Sequence, residues 1–135
     1  MSYKYGPKSI SIRDELHPLL TIVFDDVLTM YDHSLICGFR GKVDQNLAFN
    51  NNKSGLQWPE SSHNHKPALA VDVIPYPSLY KSEDEFFKLS KIIKYVAKLK
   101  GVKLNWGGDW SRMVDLPHWE IDLNHHNIKV GSKWI

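Results

Sequence analysis

Cysteine is almost absent: Cys37 is the single thiol in 135 residues. One cysteine cannot close an internal disulfide, and it excludes a metal site built from several thiolates. Its neighbours in LICGF are apolar, so Cys37 is expected to be a buried structural thiol. Long apolar runs are missing too, and nothing approaches the roughly 20 residues that a membrane span needs. The opening stretch MSYKYGPKSISIRDE has no apolar segment of the kind that drives secretion, so synthesis and folding in a cytosol are expected. A surplus of one charge is lacking as well. Seventeen Lys and Arg face fifteen Asp and Glu, and apart from a lysine-rich stretch at 88 to 103 they are dispersed, which argues against a nucleic-acid partner. Repeats, low-complexity tracts and linkers are also absent, so residues 1–135 are expected to form a single domain.

What is present is the composition of an ordinary folded protein, with 42% hydrophobic residues against 24% charged. Ile12, Leu16, Leu19, Leu20, Val23, Phe24, Val27, Leu28 and Tyr31 recur at helical spacing, predicting an amphipathic helix over about 11–31 with Pro18 as a start or a kink. Residues 34–39 read as a short buried strand, 43–49 as a short helix and 51–55 as a loop. LAVDVI at 69–74, bounded by Pro67 and Pro75, predicts a strand of the central sheet. Ser82 and Glu85 form a candidate capping box, and the apolar period from Phe86 to Leu99 continues the helix until Gly101 stops it. Strands are expected at 102–106 and 118–123, with a turn at 107–109. Helices on a small, mainly antiparallel sheet make this an α+β fold.

Asp72 lies inside the apolar strand 69–74, where an isolated charge is costly and is usually compensated by an ion pair or a metal. His63 and His65 are close in sequence, and His118 opens a later strand. Two imidazoles and a carboxylate are a common catalytic zinc set, since three protein ligands leave the fourth tetrahedral position for water. Asp115, three residues before His118, is then a candidate base for that water. His17, His33, His125 and His126 have no comparable setting and read as surface or capping residues.

The ordered set GFR at 38–40, Gln45, SSH at 61–63, AVD at 70–72, GGDW at 107–110 and DLPH at 115–118 resembles the LAS family of zinc peptidases. That family holds the D-alanyl-D-alanine carboxypeptidases, the D-Ala-D-Ala dipeptidases and the L-alanyl-D-glutamate endopeptidases of phage lysis. The resemblance covers roughly residues 35–122. It implies a Hedgehog/DD-peptidase-like fold in which His63, Asp72 and His118 hold Zn2+ and Asp115 is the catalytic acid and base. By the same resemblance Arg40 handles a substrate carboxylate or the polarised carbonyl, and Ser61 contacts substrate or supports a ligand. Members commonly have seven positions from the first histidine to the aspartate, with a glycine between; His63 to Asp72 spans nine and Ala68 stands in the glycine place. His65 restores seven but loses the serine two residues earlier, so His63 is preferred and His65 stays the alternative. Gly41 departs too, where many relatives carry threonine. Of the tryptophans near the motifs, Trp110 is a candidate substrate wall and Trp106 and Trp119 are more readily core, while Asp109 reads as holding its turn and Trp134 lies outside the matched region.

The implied function is a zinc metallopeptidase that cuts the L-alanyl-D-glutamate bond of bacterial peptidoglycan stem peptides as a phage or prophage endolysin. It is expected to act as a monomer without membrane insertion, made in the host cytoplasm and reaching the wall through a membrane pore. Alternatives are a D-Ala-D-Ala carboxypeptidase or dipeptidase, and a non-catalytic zinc-containing binding domain.

Overall fold

The computed structural model describes residues 3–129, so Trp134 falls outside the described residues. Two prolines open the first two helices. Pro7 begins α1 (Pro7–Arg13) and Pro18 begins α2 (Pro18–Val27). Each ring occupies the first helical turn, where the missing N–H costs nothing. The single helix expected over 11–31 is therefore two. At the break, His17 accepts the Leu19 N–H at 3.1 Å, and Leu16 forms an isolated bridge with Ala68. The apolar period runs through this break because both helices bury their faces in one core. Leu20, Val23, Phe24 and Val27 of α2 follow the i, i+3, i+4, i+7 pattern and are all buried.

After α2 come β1 (His33–Cys37) and α3 (Lys42–Asn50), then β2 (Ala70–Pro75), α4 (Glu83–Lys100), β3 (Leu104–Trp106) and β4 (His118–Ile121). The strands are each a residue or more off the expected bounds, chiefly β3, whose expected start Val102 instead closes α4 by a hydrogen bond to the Ala97 carbonyl. Ser82 caps α4 by accepting the Glu85 N–H at 3.3 Å. The expected capping box is only half made, since the Glu85 carboxylate takes the Tyr31 hydroxyl and Lys88 instead. Gly101, at φ 70°, ends α4 in the left-handed conformation that glycine adopts freely.

The sheet order is β1-β2-β4-β3, with every pair antiparallel, as expected. Alternation along the strands divides its residues between two faces. Leu35, Val71, Val73, Trp119 and Ile121 join the helices in the core, where the Trp106 and Trp119 rings stack with centroids 5.5 Å apart. α4 adds Phe86, Leu89, Ile93, Val96 and Ala97 as its buried apolar residues. The opposite face carries Asp72, His118 and Glu120. A bulge between Leu35 and Cys37 places Cys37 opposite Asp72. No helix among the described residues is long and apolar enough to cross a membrane.

His33 contradicts its surface reading. It is 2% exposed, with the Tyr5 hydroxyl 2.6 Å from Nε2 and the Tyr31 carbonyl 3.0 Å from Nδ1. The exposed Asp109 carboxylate holds Lys94 at 2.8 Å, joining the 107–109 turn to α4.

Candidate metal centre

Asp72 and His118 are direct partners across the β2–β4 ladder, so the register itself puts a carboxylate beside an imidazole. His63 arrives from a single 3-10 turn, Ser62–Asn64, built for the purpose. Ser61 Oγ accepts the His63 N–H at 3.2 Å, and Asn64 Oδ1 accepts the Ser61 N–H at 3.0 Å. Asn64 then donates to the Arg40 carbonyl and to Gln45 Oε1, while the Arg40 N–H donates to the His63 carbonyl. Gln45, fully buried, completes this scaffold by donating to Leu56 O at 2.6 Å and Ser54 Oγ at 2.9 Å.

Three donor atoms meet. His63 Nε2 is 3.2 Å from Asp72 Oδ1 and 3.2 Å from His118 Nδ1, and His118 Nδ1 is 3.3 Å from Asp72 Oδ1. A tetrahedral ion with bonds near 2.0–2.2 Å spaces its ligands about 3.3–3.6 Å apart, so the triangle is close to that of a metal face. The tautomers agree. His63 Nδ1–H donates to the Gly38 carbonyl at 2.8 Å, which leaves the Nε2 lone pair pointing inward. His118 Nε2–H donates to Glu120 Oε1 at 2.6 Å, which leaves its Nδ1 lone pair inward. Two imidazole lone pairs and a carboxylate oxygen converge on one point, a donor set that can hold a cation.

The three groups are also strongly coupled electrostatically. Burial opposes charge on His63, but Asp72 outweighs it and pushes the imidazole up. His118 is also pushed up, burial being overcome by its hydrogen bonds to Asp72 and Glu120. Burial alone would raise Asp72, yet His63 and His118 hold its carboxyl well below the ordinary range. Groups among the described residues that could take an ion are Cys37 with His63 and Asp72, and Asp72 with Asp115 and His118.

Asp115 sits beside this triangle. Its N–H donates to the Gly107 carbonyl at 3.0 Å, and its own carbonyl accepts the His118 N–H at 3.2 Å. The chains approach so closely that a Cβ on Gly107 would lie 2.3 Å from the Asp115 carbonyl oxygen. Burial and the nearby Asp72 charge raise the Asp115 carboxyl, while His118, His63 and Arg40 pull it back. Arg40 Nη1 donates to Gln45 Oε1 at 3.0 Å, and Nη2 stands 3.8 Å from Asp72 Oδ2. Trp110 is 37% exposed, with its ring 5.1 Å from that of His118.

Arg40, Ser61, His63, Asp72, Trp110, Asp115, His118 and Glu120 line one cleft of about 900 Å3. His65 follows the turn in extended conformation and belongs neither to that lining nor to the metal-capable groups. Lys66 and Pro67, between His65 and β2, are exposed, after which Ala68 and Leu69 rejoin the fold through bonds to Glu15 and Ser62. Cys37 is half-buried rather than buried, with Sγ 3.8 Å from His63 Nδ1 and 3.7 Å from Arg40 Nη2. Glu120 was not anticipated from the sequence. The signal was its position two residues after His118 in a strand, which puts both side chains on one face.

Comparison with known proteins places the chain. The profile of the phage L-alanyl-D-glutamate peptidases matches residues 1–128. The L-alanyl-D-glutamate peptidase of Listeria phage A118 is 36% identical over 47 residues, a stretch that is 35% of this chain and 17% of that protein. The crystal structure of the Serratia marcescens L-Ala D-Glu endopeptidase ChiX shares the fold with a TM-score of 0.73 at 20% identity, covering 91% of this chain and 93% of that one. A profile that runs through nearly the whole length, on a fold of the same architecture, makes the chain a member of the phage L-alanyl-D-glutamate peptidase family.

Proposed function

We propose that the protein is a zinc-dependent peptidoglycan endopeptidase that cuts the L-alanyl-D-glutamate bond of bacterial stem peptides and serves as a phage or prophage endolysin. The observation that carries this reading is the triangle of His63 Nε2, Asp72 Oδ1 and His118 Nδ1, with edges of 3.2 to 3.3 Å opening on the cleft. Zinc suits two imidazoles and a carboxylate, and when bound it polarises a carbonyl and makes water acidic enough to react near neutral pH.

The remaining work falls to the chain. Asp115 takes the proton of the attacking water and later delivers it to the leaving amine. Its raised carboxyl makes Asp115 a stronger base toward the water than an ordinary aspartate, and the acid so formed is the donor to the amine. Arg40, fixed by Gln45, directs a permanent positive charge at the oxyanion that develops on the carbonyl. Glu120 keeps the His118 ring in the tautomer that faces Asp72. Trp110 walls the substrate beside His118, and Ser61 both caps the His63 turn and borders the cleft. One hydrophobic cluster gathers residues from Ile12 to Ile121, which supports a single folding unit, and we take that unit to act as a monomer. The site of action is the cell wall, reached from the host cytoplasm through a membrane pore.

Digestion of purified stem peptides, with the new ends identified by mass spectrometry, tests the assignment. An N-terminal D-glutamate is the expected product. Release of alanine alone would assign the chain to carboxypeptidase chemistry, and no cleavage by a zinc-loaded chain would leave a binding domain.

A further inference from the structure

The cleft carries two cations that the reaction itself does not use. Its floor is acidic, with Asp72, Asp115 and Glu120. Arg40 is the cation nearest that floor, and its guanidinium is committed to Gln45 and to Asp72. Two further cations border the same cleft: Lys53, in the loop after α3, and Arg112, in the loop after β3. Both are exposed, and among the described residues neither side chain has a hydrogen-bond or ion-pair partner.

The two loops that carry them touch. Gly55 packs so tightly on Met113 that an added Cβ would lie 2.9 Å from the Met113 sulfur. Lys53 and Arg112 are thus brought by adjoining loops to the rim of one channel, each two positions or fewer from the contact. Uncommitted cations at the rim favour a ligand that carries an anion there.

We infer that Lys53 and Arg112 form a carboxylate-binding pair that selects substrates with a free acid next to the scissile bond. This rests on the endopeptidase reading. A glutamyl residue joined to alanine through its nitrogen has two carboxyl groups, and extending the peptide consumes only one. The other remains an anion one residue from the bond to be cut, a partner for a planar guanidinium and an ammonium.

The experiment compares two stem peptides identical except that this carboxyl is free in one and a primary amide in the other. Wild-type protein is expected to show kcat/KM about tenfold lower on the amide, carried by KM. The double variant Lys53→Gln, Arg112→Gln is expected to cut both peptides alike, with kcat on the acid peptide within about twofold of wild type and Arg112→Lys restoring part of the preference. Equal cleavage of both peptides by wild type, or undiminished discrimination by the double variant, overturns the inference while leaving the endopeptidase intact. Should neither peptide be cut, the endopeptidase reading fails, and binding of the two peptides to the zinc-loaded Asp115→Asn chain decides the carboxylate site. A roughly tenfold preference for the acid that the double variant abolishes supports it; equal binding overturns it.

Discussion

Glu120 Oε1 lies 2.6 Å from His118 Nε2, and Ser62 Oγ approaches the same carboxylate oxygen at 3.4 Å. The bond leaves Nδ1 of His118 as the atom turned toward Asp72 and His63. A residue outside the inner triangle therefore sets which nitrogen can bind an ion. Replacing such a partner usually weakens metal affinity by about 10- to 100-fold. Glu120→Ala is expected to do so in competition with a chromophoric chelator, and Glu120→Gln, which keeps an acceptor oxygen, to lose less. Equal affinity for Glu120→Ala and wild type would remove Glu120 from the account.

The choice between neighbouring histidines gives a second expectation. His63 Nε2 points into the triangle, whereas His65 lies outside the metal-capable groups of the described residues. His63→Ala is expected to lose bound metal after gel filtration, and His65→Ala to retain it in a one-to-one ratio. The opposite pattern would make His65 the ligand.

Asp115 is held against Gly107 by a backbone hydrogen bond. Asp115→Ala is expected to keep its metal and its fold while kcat falls by roughly a hundred- to ten-thousandfold. Gly107→Ala should act in the same direction, because its methyl group cannot coexist with the Asp115 carbonyl 2.3 Å away. Retained wall lysis by Asp115→Ala would end its assignment as the acid and base.

A fourth expectation concerns stability. Burial lowers His33 from 6.5 to about 4, although its bond to the Tyr31 carbonyl opposes the change. The folded chain thus refuses a proton that the unfolded chain accepts below pH 6.5. The stability due to neutral His33 is complete above that value and is lost as the pH falls toward 4, by about 3 kcal/mol at most. Urea unfolding in the presence of a chelator, at pH 7 and at pH 4.5, should show a steeper loss for wild type than for His33→Gln. Parallel losses would contradict a buried neutral His33.

Much of the site was legible because the costs are local. Asp72 announced itself as a charge in an apolar strand, and Asp115 as a carboxylate three residues before a histidine, the spacing that one turn then closes with a 3.2 Å bond. The α4 period and its Gly101 stop were legible for the same reason. What escaped depends on distant partners. His33 reads as a surface residue until Tyr5, 28 positions away, is folded against it. Pro18 marked the start of α2, whereas the Leu16–Ala68 bridge beside it, 52 positions long, was not legible, and Glu120 reads as the wet side of an amphipathic strand until β4 is known to line a cleft.

The central claim is that His63, Asp72 and His118 share one ion with a position left open for water. X-ray absorption at the zinc edge of the metal-loaded protein tests it most directly. Four light-atom neighbours, two of them imidazoles, at about 2.0–2.2 Å are predicted. A sulfur neighbour at about 2.3 Å, which would bring Cys37 into the shell, or a spectrum with fewer than two imidazoles, would contradict it.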